Sequence, residues 1–391
     1  MKKINYAVIG AGRQGVAAAY DLAKNGNSNK VILVDIDFEL AKNGSEKINN
    51  LLNENIVECE SADVFDEKKI IKILENVDVF ISAVPYHLNP KITQLAIEAK
   101  ASMVDLGGHT ENVKEQLKYN KEAKKKNITI VPDCGMGPGM NITMALLGME
   151  KLEKTCEVRI WDGGLPQKPL PPWNYNLFFH INGLTNEYHG SAYFLKDKKI
   201  KRVKCFENIE TIHLKDFKIP LEAAVTSGGL STMPWTYENQ LDILENKTLR
   251  YFGHWEWMKA FRELGLFNEN KITYNGNEIV PREFYHHLLK PKLDKGVIED
   301  VCLMKVECRG FVNDIKTKST IECVEFFDKE TGFSAMEKWT GWHASIVAIE
   351  IAKNKISNGA IPIEKALSGS VFYENSLLRN YNLSIDIEEI L

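Results

Sequence analysis

Apolar positions in the first third of the chain follow two alternating rhythms. Short, β-branched runs at Ile4–Ile9, Val31–Asp35, Ile56–Glu60, Val77–Ser82, Ser102–Leu106 and Ile128–Val131 read as strands. Between them, apolar residues recur at helical spacing over Val16–Lys24, Glu67–Glu75, Pro90–Ala99 and Glu111–Lys126. Strands that alternate with helices predict a parallel sheet wound on both faces, and six strands complete one. From about Cys134 to Thr331 the rhythm changes. Alternating stretches at Tyr188–Leu195, Lys201–Phe206 and Val301–Val312 predict antiparallel strands, broken by helices at Glu238–Glu245 and Trp255–Leu264. Near Trp342 the chain turns helical again. His343–Ala352 is apolar on nearly all sides, so it should be buried against the first domain. The predicted fold class is α/β: a doubly wound parallel (Rossmann) sheet with an inserted α+β domain on a mixed or antiparallel sheet. Its predicted parts are a dinucleotide-binding domain (1–133), a substrate-binding and dimerisation domain (134–335) and a helical return onto the first domain (336–391).

The first strand runs straight into Gly10-Ala-Gly12-Arg-Gln-Gly15, and the second ends in Asp35, twenty residues past Gly15. In this strand–loop–helix–strand context the glycines have separate tasks. Gly10 permits the tight turn, Gly12 lets a pyrophosphate approach the backbone, and Gly15 lets helix and strand pack closely. The N–H groups at the start of the following helix attract phosphate. Arg13 and Gln14 lie within this loop, with Arg13 expected as a solvated side chain over the pyrophosphate. Asp35 suits the two ribose hydroxyls of NAD and would repel the extra phosphate of NADP, so NAD is the expected cofactor. Ala83, Val84 and Pro85, ending strand four, are placed to line the ribose and nicotinamide, and Gly107 ends strand five at the same edge.

Composition narrows the partners. The 391 residues carry 49 Lys and Arg against 53 Asp and Glu, a net charge of −4, which argues against nucleic acid or an anionic membrane. No apolar run approaches the roughly 18 residues that span a bilayer. Met1-Lys-Lys before the first strand does not resemble a signal peptide. The seven cysteines are scattered and form no C-x-x-C, so neither a metal site nor a disulfide framework is expected, and a cytoplasmic location fits. The adjacent His286 and His287 point to different sides of their helix and should not share a metal.

Ligands of open α/β sheets bind beyond the carboxyl ends of the strands, which directs attention to the loop after strand six, Asp133-Cys-Gly-Met-Gly-Pro-Gly139. Asp133 is a candidate base or a simple turn residue, and Gly135, Gly137 and Gly139 would bring backbone close to a substrate. Tyr86 and His87, just past strand four, are candidate proton relays. The second domain offers the proline-rich Gly163–Pro172, read as a loop, and the string Thr226-Ser-Gly-Gly229. In Thr248-Leu-Arg-Tyr-Phe-Gly-His254, Arg250 could clamp a substrate carboxylate or form a structural ion pair, with His254 beside it.

Together the glycine loop, Val84-Pro-Tyr86, Val104-Asp-Leu-Gly-Gly108, the Asp133–Gly139 loop, Gly163-Gly-Leu-Pro166 and Thr248–His254 resemble the saccharopine dehydrogenase-like family. The likeness continues through Glu263-Leu-Gly265 and Thr340-Gly341 to Gly359-Ala-Ile-Pro362. Within the family it is strongest to the branch that oxidises the terminal amine of L-lysine. The resemblance implies an NAD-dependent oxidoreductase acting on a C–N bond of a small amino-acid substrate, in a homodimer. Saccharopine- or carboxynorspermidine-type chemistry on a secondary amine is the alternative, and a non-catalytic NAD-binding protein a further one. Trp339, Trp342 and Trp255-Glu-Trp257 depart from the pattern and would bear on the choice of substrate.

Overall fold

The computed structural model describes residues 2–390 apart from Val297. In chain order the strands of the first region are β1 (Ile4–Ile9), β2 (Ser28–Asp35), β3 (Val57–Ser61), β4 (Val79–Ser82), β5 (Ser102–Asp105) and β6 (Thr129–Val131). The second region holds β7 (Lys154–Pro166), β8 (Ser191–Lys196), β9 (Lys199–Lys204), β10 (Glu210–Leu214), β11 (Phe217–Val225) and β12 (Ile243–Arg250). A small hairpin, β13 (Ile272–Tyr274) and β14 (Asn277–Ile279), precedes β15 (Asp300–Val312) and β16 (Ile315–Phe326). The chain ends with β17 (Gly359–Ala360) and β18 (Leu383–Glu389).

The six strands expected from the sequence form a parallel sheet with a seventh member, in the order β17-β6-β5-β4-β1-β2-β3. Apart from the edge strand β3, their side chains are largely buried on both faces, which is why they read as continuous apolar runs. The chain order reverses between β1 and β4, and the carboxyl edge there is the ligand-binding crevice of such sheets. The second sheet has nine strands. Its main path is β10-β11-β12-β7-β15-β16-β18, with β8 beside β12 and β9 beside β8. Only the β12–β7 pair is parallel, so the sheet is mixed.

Three local expectations are corrected. Glu238–Glu245 is not a helix, because β12 begins at Ile243 and Glu245 stands directly opposite Arg159 of β7, paired at 3.2 Å. That cross-strand ion pair fits the strand register rather than a helix. Gly163–Pro166 is strand rather than loop. A Cβ on Gly163 would stand 2.6 Å from the Leu249 carbonyl oxygen of β12, so these glycines mark close approach of neighbouring chain. The segment 111–126 forms two helices, Thr110–Leu117 and Asn120–Lys126.

The C-terminal segment ties both sheets together. The buried helix His343–Ala352 packs on β4, β5 and the first helix, Arg13–Asn25. Trp339 and Trp342 are buried, with Trp342 stacked on Tyr381 and Tyr20 of the first helix. They are core residues and do not line a substrate site. Arg379 reaches back to Asp21 of that helix at 2.5 Å, both side chains almost fully buried. The final strand, β18, joins the second sheet, so the return is not purely helical and does not serve the first region alone. Among the described residues no helix is long and apolar enough to cross a membrane, and no cluster of His, Cys, Asp and Glu is placed to hold a metal ion. All seven cysteines are free.

Candidate active site

The glycine loop adopts the geometry its spacing predicts. Gly10 has φ +107°, and a Cβ there would stand 2.6 Å from the Ala83 carbonyl oxygen at the end of β4. At Gly15 a Cβ would stand 1.8 Å from the Gly10 carbonyl oxygen. Gly12, by contrast, is exposed at the N-cap of the first helix, and nothing lies within 4 Å of its Cβ position. That open cradle over first-turn N–H groups fits a pyrophosphate. Asp35 ends β2 facing the loop: it accepts hydrogen bonds from the Ala11 N–H at 2.7 Å and the Asp37 N–H at 3.0 Å. Arg13 does not lie free in solvent over the loop. Its Nε pairs with Glu337 at 2.6 Å, just before the turn Lys338–Trp342 that packs on the first helix. Gln14 is half-buried, its Oε1 without a hydrogen-bond partner.

The loop after β6 is built around Asp133, which is 1% exposed and held at φ +59°. Asp tolerates the left-handed region better than most residues, yet a buried one there is held by its surroundings. Here Asp105, at the end of β5, does the holding. It accepts the Asp133 N–H at 3.1 Å and the Gly107 N–H at 2.8 Å on Oδ1, and the Gln116 amide at 2.7 Å on Oδ2. The Asp133 carboxylate accepts the Gly108 N–H at 3.3 Å and a hydrogen bond from Ser231. It rests on Gly107, whose Cβ, if present, would stand 2.0 Å from Asp133 Oδ1. Loss of water pushes the Asp133 carboxyl up to about 7, reinforced by the nearby Asp105 charge and partly offset by the Ser231 and Gly108 hydrogen bonds. Desolvation likewise pushes Asp105 up to about 6.

Of the loop glycines, Gly135 and Gly139 are buried against one another, a Cβ on Gly139 meeting the Gly135 carbonyl oxygen at 2.3 Å. They close the loop on itself and present no face to a substrate. Gly137 is exposed and lies over the second sheet, its Cβ position 2.9 Å from Asp162 Oδ2 on β7.

Asp162 stands opposite Thr248 of β12, two residues before Arg250. Arg250 is almost fully buried; its Nε donates to the Tyr188 hydroxyl at 2.8 Å, its Nη1 to the Leu249 carbonyl at 2.8 Å, and its Nη2 lies 3.7 Å from Glu187. His254 is fully buried, and burial with the Arg250 charge lowers its pKa to about 3, so it is neutral. Its Nδ1 lies 2.9 Å from the Trp173 carbonyl and its Nε2 2.9 Å from the Tyr188 hydroxyl. Trp173 can only accept, so Nδ1 carries the proton and Nε2 accepts from Tyr188, which in turn accepts from Arg250. With both ring nitrogens engaged, His254 orients Tyr188 and Arg250 and has nothing left for a substrate. The sequence expectation for it is corrected accordingly.

Tyr86 bridges the two regions. Its ring stacks on His109 at 5.6 Å, and its hydroxyl accepts from the Asn186 amide at 2.8 Å. His87 is exposed, and no side-chain hydrogen bond ties it to the cluster among the described residues. Val84 and Pro85 follow Ala83 beside the glycine loop, where the sequence places them. Sequence reasoning passed over Asp105, Asp162, Glu187, Tyr188 and Ser231. Asp105 carried a signal, since it ends β5 at the same edge where Asp133 opens the loop after β6.

The fold and the cleft define a two-domain, dinucleotide-binding α/β protein of the oxidoreductase kind. Models of two domains match nearly the whole chain: "Saccharopine dehydrogenase NADP binding domain" over residues 6–131 and "Saccharopine dehydrogenase C-terminal domain" over 135–379. The chain belongs to the saccharopine dehydrogenase family. It is 24% identical over 237 residues to the NADP(+), L-glutamate-forming saccharopine dehydrogenase of Saccharomyces cerevisiae, covering 54% of this chain and 48% of that protein. The mitochondrial alpha-aminoadipic semialdehyde synthase of Bos taurus is 25% identical over 216 residues, 52% of this chain and 23% of that one. The matched region thus spans about half of the yeast relative and a quarter of the bovine one. The apo yeast saccharopine dehydrogenase structure superposes with a TM-score of 0.77 at 17% identity, over 99% of this chain and 100% of that one. A homospermidine synthase from Legionella pneumophila in complex with NAD superposes with a TM-score of 0.65 at 11% identity, over 100% and 93%. These two likenesses concern the fold.

Proposed function

We propose that the chain is an NAD-dependent dehydrogenase that oxidises the C–N bond of an amino acid, the terminal amine of L-lysine, to ammonia and the 6-semialdehyde. The observation that carries this reading is the charge of the cleft. Arg250 lies near Asp162 and Glu187, and Asp133 is buried at the end of β6, while Arg282, another buried cation, is already engaged by Glu269, the Phe267 carbonyl and Asn186. Such a cleft suits a ligand with one carboxylate and more than one cationic nitrogen. A saccharopine-type substrate brings further carboxylates and would call for more free cations.

The bound dinucleotide supplies the hydride acceptor. A primary ammonium, with pKa about 10.4, must lose a proton before its carbon can release hydride. Asp133 takes that proton, and its charge draws the ammonium to the edge of β6. Hydride loss leaves an iminium, water adds to its carbon, and ammonia departs to leave the aldehyde. Arg250, oriented by Tyr188 and neutral His254, holds the substrate carboxylate with its remaining N–H donors. The deciding experiment is a screen for NADH formation with L-lysine, saccharopine and diamines, each with NAD and NADP. Turnover of saccharopine without turnover of L-lysine would overturn the lysine reading in favour of the secondary-amine alternative.

Cofactor choice follows from Asp35, held at the end of β2 by two backbone N–H groups, with Arg13 paired to Glu337. NAD is expected to be preferred over NADP by at least tenfold in kcat/KM, about 1.4 kcal/mol. Asp35→Ser combined with Ile36→Arg should narrow or reverse that preference. Equal efficiency of the native enzyme with both cofactors would remove Asp35 from this role.

A further inference from the structure

We propose that Glu364, in the C-terminal segment, is a positioning residue for Asp133: through Thr232 it anchors the loop that brings the Ser231 hydroxyl to the Asp133 carboxylate. The inference rests on the reading of Asp133 as the base, and it names what sets that base in place. Loop 228–236 is gripped at Gly229. Asn141 donates to the Gly229 carbonyl at 2.8 Å, and a Cβ on Gly229 would stand 1.9 Å from Asn246 Oδ1. Ser231 follows, buried and in left-handed backbone at φ +47°, its N–H on the Gly228 carbonyl at 3.1 Å. Serine does not settle there by itself, so its neighbours must hold it. Glu364, 5% exposed, does so from 132 residues along the chain. Its Oε1 accepts from Thr232 at 2.8 Å and from Thr236 at 2.7 Å, the N-cap and the last residue of the one-turn helix Met233–Thr236.

The loop and its anchor act on Asp133 in opposite senses. The Ser231 hydrogen bond favours the charged carboxylate, while the Glu364 charge disfavours it. A glutamine would serve both threonines; what the carboxylate adds is that charge. The other ionisable groups around Asp133 are Asp105 of β5, which also disfavours its ionisation, and Cys134 and His343. Burial keeps the Cys134 thiol protonated and lowers His343 to about 4, so both are neutral. Glu150, Glu153, Tyr237 and Lys365 line an open cavity together with Glu364. Burial raises the Glu364 carboxyl, and the hydrogen bonds from Thr236 and Thr232 and the Lys365 charge work against this.

The test is titration of the Asp133 carboxyl by carbon-13 NMR in the full chain, its resonance identified by its absence from Asp133→Asn. The acid limb of kcat/KM with L-lysine is measured alongside. Ser231→Ala should raise the midpoint by about one pH unit, the worth of a hydrogen bond to a charged group. Thr232→Val keeps the side-chain shape but drops the anchor, so it should raise the midpoint too, and add nothing in the Ser231→Ala background. Glu364→Gln keeps both threonine contacts and loses the charge, so it should lower the midpoint. A merely structural role would give no such opposition of sign. An equal effect of Thr232→Val with and without the Ser231 hydroxyl, or a midpoint that Glu364→Gln leaves in place or raises, would overturn the proposal. Thermal melting checks that each variant folds, and should Glu364→Gln not fold, the Ser231 and Thr232 cycle decides alone. If the carboxyl moves as stated while Asp133→Asn keeps native turnover, the base reading falls and the positioning of Asp133 stands.

Discussion

Asp133→Asn is expected to give a folded protein that binds NADH normally but turns over its amine roughly 10² to 10⁴ times more slowly, the usual worth of a general base. Asparagine has the same shape, tolerates the left-handed backbone and still accepts from the Gly108 N–H, so the loop should persist. What disappears is the site that takes the proton and the charge that attracts the ammonium. With its carboxyl pushed up to about 7, Asp133 should give the native enzyme an acid limb in kcat/KM near that pH. The variant should lack that limb and recover partly as pH rises, when more of the amine arrives neutral. Stability should move the other way. A carboxyl whose folded pKa is raised costs nothing below its unfolded value near 3.9, and its full cost is present above about 7. Ligand-free Asp133→Asn should therefore melt no lower than the native protein at pH 8. Near-native turnover at neutral pH would reduce Asp133 to a turn residue and make Tyr86, which joins the two regions through Asn186, the next to test.

Gly12→Val is the second large effect expected: loss of measurable NADH binding with the fold retained. The backbone at Gly12, φ −68° and ψ 177°, is open to any residue, and a Cβ there meets no protein atom. The branched side chain would instead occupy the space in which a pyrophosphate approaches the helix N-terminus. Fluorescence titration with NADH reads the binding and thermal melting reads the fold. Unchanged affinity would mean that the phosphates sit elsewhere. Gly15 provides the contrast, because its Cβ would meet the Gly10 carbonyl oxygen at 1.8 Å, so even Ala there should damage the fold itself.

What could be read in the sequence was local. The glycine loop and the strands of the first sheet announce themselves through short-range pattern, because the inner strands are buried on both faces and the turns need particular backbone angles. The Asp133 loop showed itself in the same way, through three glycines and a proline. The rest depends on partners far along the chain. Glu245 looks helical until Arg159 is placed across from it, and Gly163 looks like loop until Leu249 comes alongside. Asp162 looks like an ordinary strand residue until Asn246 and Arg250 of β12 are placed beside it. His254 illustrates the reverse: an imidazole beside an arginine invites a substrate role, but both nitrogens prove to be engaged.

The last fifty residues also set an order of events during synthesis. The sheet that receives the nucleotide gains its edge strand, β17, and the cover over β4 and β5, His343–Ala352, only after all of the second sheet but β18 has been made. Until then a growing chain carries an apolar face over β4 and β5 that lacks its cover, a situation that favours holding by chaperones or self-association. The cradle for the nucleotide is thus encoded first and finished late. Nucleotide binding must therefore wait for residues far downstream of the sheet that they complete.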